Sequence, residues 1–66
     1  MLSSRKIIQM LKAEGWFFIG AEGDHYHFRH LERPGKVTVP HPEKDVKIKT
    51  IMSIEHQSGV RLRNRN

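Results

Sequence analysis

Two turn signals constrain this sequence more than any other feature. Gly23-Asp24 puts glycine first, as a two-residue type II′ turn prefers, and Pro34-Gly35 suits the middle of a type II turn. Around them stand three short runs rich in aromatic and β-branched residues, which read as strands over 16–22, 25–30 and 36–40. Tight turns join strands antiparallel, so the centre of the chain is a three-stranded meander. Alternation in the second strand puts Tyr26 and Phe28 on one face and His25, His27 and Arg29 on the other. In the third strand Val37 and Val39 face the core, and Lys36 and Thr38 lie opposite. Pro40 and Pro42 end the pairing, because proline has no N–H to give.

The flanks are helical. Residues 3–14 carry Ile7, Ile8, Met10 and Leu11 mostly on one stripe, with Ser3 or Ser4 as N-cap and Gly15 as a left-handed stop. A second helix is read over 50–58, capped by Thr50 or a residue just before it and stopped by Gly59. Ile51 and Ile54 form its apolar side, with Ile48 before and Val60 after, and 43–49 is a charged connection. The expected fold class is therefore α+β, in the order α-β-β-β-α. Its three-stranded antiparallel sheet has two helices on one face and the other face open. A single domain is expected over 1–60, with a basic, flexible tail over 61–66. Trp16, Phe17 and Phe28 are expected in the core.

Composition narrows the function. A chain of 66 residues is one domain, and a domain of that size buries only about 60% of the surface its unfolded form exposes. It has no cysteine, which excludes disulfides and thiolate zinc sites. No apolar run approaches the ~20 residues that span a bilayer. The N-terminal residues lead into an amphipathic pattern rather than a signal-peptide core, so a cytoplasmic protein is expected. Twelve Lys and Arg stand against seven Asp and Glu, a formal charge of +5, which favours polyanionic partners. Lys36, Lys44, Lys47 and Lys49 are candidate RNA-phosphate contacts, the last three lying where a helix begins.

The open face would carry His25, His27, Arg29, Lys36 and Thr38. The acidic residues are scattered, so a paired-acid Mg²⁺ centre is not expected, and there is no Gly-rich phosphate loop. His25 and His27 with His30 or His41 could hold zinc or nickel, but no tetrahedral set is fixed by spacing. No metal and no cofactor are expected. Histidine cuts RNA without metal: a neutral imidazole takes the proton of the ribose 2′-OH, and that oxygen attacks the adjacent phosphorus. Arg29 or a nearby lysine can stabilise the growing phosphate charge. The same face can instead bind RNA without cutting it, or dock a protein partner.

The segments Gly15-Trp16, Gly23-Asp24-His25-Tyr26-His27-Phe28-Arg29-His30, Val37-Thr38-Val39-Pro40-His41-Pro42 and Thr50-Ile51 to Ser58-Gly59-Val60 resemble the HicA toxin family, over residues 3 to 60. The resemblance implies a fold similar to double-stranded-RNA-binding domains and an endoribonuclease that cleaves mRNA. It also implies a HicB-type antitoxin that blocks the active face within an oligomeric toxin–antitoxin complex. The family's Gly-Ser-His-His motif places its first histidine at His25, which the resemblance makes the general base, and its glycine at Gly23. His27 and Arg29 are supporting candidates. Asp24 stands where the family has serine, setting a negative charge beside His25. Tyr26 stands where it has a second histidine, which leaves open a shift of role to His27. Ile48-Lys49 replaces the proline-glycine that often precedes the last helix.

Overall fold

Ser3 starts the first helix by accepting a hydrogen bond from the Lys6 N–H at 3.1 Å, which satisfies one of the orphan donors of the first turn. In the computed structural model, which describes residues 2–63, this helix is α1 (Ser4–Ala13). Strands β1 (Trp16–Glu22), β2 (His25–His30) and β3 (Val37–Pro40) follow, then helix α2 (Ile48–Ser58). Gly15 and Gly59 take positive φ, +95° and +74°, and end the two helices as glycine does best. The Gly59 N–H donates to the Glu55 carbonyl.

The strands form an antiparallel sheet in the order β1-β2-β3, and the fold is the α+β class read from the sequence. Both helices pack on the face that carries Trp16, Phe28, Val37 and Val39. Ile7 and Leu11 of α1 and Ile51 and Ile54 of α2 complete this core. The Trp16 indole N–H is buried with no hydrogen-bond partner among the described residues, a cost of roughly 1–3 kcal/mol borne for the sake of the ring's packing.

Four expectations change in the fold. Phe17 is not in the core: it pairs with Arg29 on the open face and is 43% exposed, because it alternates with the buried Trp16. Helix α2 begins at Ile48, two residues before 50, with Lys47 as N-cap and no side-chain cap bond, so Thr50 lies inside the helix. What fixes this start is tertiary: Val46 is buried and its N–H donates to the Leu2 carbonyl at 2.8 Å. Ile48 consequently points outward, 54% exposed. Lastly, Lys36 lies in the loop, since β3 begins at Val37.

The docked chain also runs past residue 60. Leu62 is 3% exposed within the core cluster. The N–H groups of Leu62 and Arg63 donate to Glu55 Oε2 at 2.9 and 3.0 Å, while Arg63 Nε and Nη2 reach Oε1 at 3.0 and 2.8 Å. Residues 64–66 of the expected tail lie outside the described residues.

Candidate functional site

The open face is built by register. Across the sheet, Glu22 pairs with His25 and His25 with Pro40; Gly20 pairs with His27 and His27 with Thr38; Phe17 pairs with Arg29. A shift between Phe18 and Gly20 leaves Ile19 unpaired. Such a bulge resets the inward–outward alternation of its strand. Here it turns Glu22 toward His25 and His27 while Trp16 and Phe18 keep to the core side. Opposite His27 stands Gly20, where an added Cβ would meet nothing within 4 Å.

The two candidate histidines differ in their freedom. The His27 side chain is only 14% exposed, with Nδ1 2.9 Å from Thr38 Oγ1 and Nε2 3.4 Å from Glu22 Oε1. Both of its ring nitrogens are therefore engaged, and the ring is held in one orientation. His25 is 61% exposed, and Asp24 Oδ1 lies 3.6 Å from its Nε2. That separation is too long for a hydrogen bond, and among the described residues neither ring nitrogen is taken up by one. Gly23 takes φ +61° with open space where a Cβ would stand, which gives the turn its shape and leaves the approach to His25 clear. Arg29 is exposed and makes no ion pair with a described acidic side chain. It stands four residues from His25 along the strand, roughly 13 Å, and so reaches a neighbouring phosphate more readily than the one at His25.

The remaining strand and loop histidines serve the fold. His30 Nε2 donates to the Glu14 carbonyl at 2.9 Å, and its Nδ1 accepts the Glu32 N–H at 3.0 Å. These two partners assign a neutral Nε2–H tautomer, and the ring packs edge-on to Trp16. His41 Nδ1 lies 2.6 Å from Ser4 Oγ, and its ring stands edge-on to Tyr26. Ser4 is buried and its Oγ also accepts the Glu43 N–H at 2.8 Å, tying the start of α1 to the loop after β3. Among the described residues no three His, Asp or Glu side chains gather as a metal site.

The lysines do not share one surface. Lys36 precedes β3, Lys44 and Lys47 lie on the approach to α2, and Lys49 lies in its first turn, all exposed. Lys47 lines a groove between the helices that includes none of the open-face residues. Sequence reasoning missed the Glu22–His27–Thr38 link, because the bulge that brings Glu22 to the face has no marker beyond Gly20.

Fold and face together define a small basic α+β domain that presents one side of a sheet with two histidines and an arginine. The model of a family described as HicA toxin of bacterial toxin-antitoxin matches residues 4–60, and the chain belongs to the HicA toxin family. No curated protein matches it significantly. Membership makes this a toxin-type component of a bacterial toxin–antitoxin pair and implies an antitoxin partner. Among the described residues no helix is long and apolar enough to cross a membrane.

Proposed function

We propose that this toxin is a metal-independent endoribonuclease that cleaves mRNA, with His25 as general base. The observation that carries the reading is the open His25 ring on a free sheet face in a chain of a toxin family. The neutral imidazole takes the 2′-OH proton, the oxygen attacks the adjacent phosphorus, and the P–O5′ bond breaks as a 2′,3′-cyclic phosphate forms, the departing 5′-oxygen taking a proton from solvent. The need for a 2′-OH confines the reaction to RNA. His27 acts as a supporting group whose fixed ring shapes the floor beside His25. Gly23 keeps the approach open, and Arg29 holds a neighbouring phosphate. Lys36, Lys44 and Lys49 add salt-sensitive contacts along a longer RNA, whereas Lys47, also a candidate by sequence, faces the groove between the helices. A HicB-type antitoxin would cover this face in an oligomeric complex in the cytoplasm.

Asp24 favours a second reading. Its carboxylate lies 3.6 Å from His25 Nε2, where it opposes an incoming phosphate, and in this reading the face binds RNA without cutting it. One experiment separates the two: incubation of a long unstructured RNA in EDTA with the wild type and with His25→Ala. Cutting by the wild type alone supports the nuclease reading. Equal cutting by a folded His25→Ala protein rejects His25 as the base and moves attention to His27. Binding without cutting by both replaces the nuclease with the RNA-binding module.

A further inference from the structure

A second surface lies away from the histidine face. Between α1 and the start of α2 runs an open groove of about 940 Å³. Its floor is aliphatic: Leu2 and Met10 from the α1 side, Val46, Ile48 and Ile51 from the α2 side, and Leu62 from the returning chain. Ile48 is 54% exposed. The rim is cationic. Lys6, Lys47 and Arg61 are exposed, and none pairs with a described acidic side chain. Among the described residues Asp45 is the one acid along the lining. Among the described lining residues none belongs to a strand.

The geometry points to this groove as the docking site of an acidic amphipathic helix from a partner protein, its apolar stripe on the floor and its carboxylates on Lys6, Lys47 and Arg61. A helix laid in a groove between helices reads through side chains at i, i+3, i+4 and i+7, and an aliphatic floor takes such a stripe. Charge selects among occupants. A second copy of this chain carries the same +5 and meets the rim with like charge. The residues after Arg63, Asn64-Arg65-Asn66, are polar and cationic in sequence and match neither floor nor rim. RNA would satisfy the rim but leave the floor bare, for among the described residues no aromatic side chain lines the groove on which a base could stack. Carboxylates flanking large apolar side chains satisfy both. A helix held here leaves His25, His27 and Arg29 uncovered, so the inference does not depend on the nuclease reading.

The probe is a synthetic peptide of about 15 residues, long enough for four helical turns, with leucines on one stripe and glutamates elsewhere. Its mirror in charge, with lysines for the glutamates, is the control. Amide chemical shifts of the whole protein are followed during titration. The expected result is saturable micromolar binding that moves Lys6, Met10, Ile48 and Arg61 and leaves the His25 face unmoved. Ile48→Glu, at an exposed position that the fold does not need, should weaken it about tenfold or more, as loss of an interface anchor does. No binding at millimolar peptide overturns the proposal. So does equal binding of the lysine peptide, or a shift pattern centred on His25, His27 and Arg29. Displacement of the bound peptide from these residues by single-stranded RNA or by anionic vesicles also overturns it, in favour of a polyanion or a membrane surface.

Discussion

Glu55 holds the end of the described chain in place, and removing its charge should loosen that end. The residue sits in the last turn of α2, where the helix dipole disfavours an anion. Arg63 more than offsets this. Its side-chain hydrogen bonds, then its backbone N–H, hold the Glu55 carboxyl at about 2, below its ordinary 4.5, against a burial that pushes the other way; the Leu62 N–H adds to the lowering. Taken whole, such a shift corresponds to at most about 3 kcal/mol at neutral pH. Arg63 is 40% exposed, and solvent screening brings the contribution to about 1–2 kcal/mol. The sign follows from the lowered value. The stabilisation is full above the unfolded carboxyl's 4.5 and is lost as the pH falls from there toward about 2. Urea unfolding, followed by the fluorescence of the single tryptophan, Trp16, measures it. At about pH 6, Glu55→Gln should be less stable by about 1–2 kcal/mol, and the two stabilities should converge as the medium is acidified. Equal stability at neutral pH, or a gap that persists through the acid range, would refute this account of the C-terminal clamp.

Three further outcomes follow from particular contacts. Ser4→Ala leaves the Glu43 N–H and His41 Nδ1 without their buried partner, and urea unfolding should show a loss of roughly 1–3 kcal/mol; a change within error would mean that the loop finds other partners. Gly15→Ala forces a side chain to φ +95° and sets its Cβ 2.7 Å from His30 Nε2, whose ring is pinned at both nitrogens. It should cost roughly 1–3 kcal/mol, clearly more than Gly35→Ala, where a Cβ meets nothing within 4 Å; equal costs would remove the His30 contact from the explanation. Asp24→Ser takes away the charge beside His25, and RNA cleavage in EDTA should quicken about fivefold, the rate equivalent of ~1 kcal/mol; an unchanged rate would show that Asp24 does not oppose the phosphate.

Most of the architecture was legible because local chemistry and burial agree along it. The bounds of β1 and β2 were readable from their residue types and from the Gly23-Asp24 turn, and period two placed His25, His27 and Arg29 together on the solvent side. Capping residues marked α1 at both ends. The start of α2 was illegible for the opposite reason. Lys47 makes no side-chain cap bond, and the start is set by Val46 and Leu2, forty-four positions apart in the chain. Ile48 looks like core by residue type and is not. Leu62 looks like part of a solvated basic run, yet Glu55 draws it inward.

The site divides along the same line. That His25 faces solvent follows from alternation within one strand, whereas what surrounds it depends on pairing between strands. Glu22 would fall on the core side if β1 ran unbroken from Phe18, and only the unpaired Ile19 turns it toward His27. A single strand's pattern cannot report a residue that its neighbour fails to pair. The same bulge helps explain why His25 and not His27 is the freer ring. By bringing Glu22 to one nitrogen of His27 while Thr38 takes the other, it engages the histidine at 27 in the sheet. The histidine at the turn stays open to a substrate.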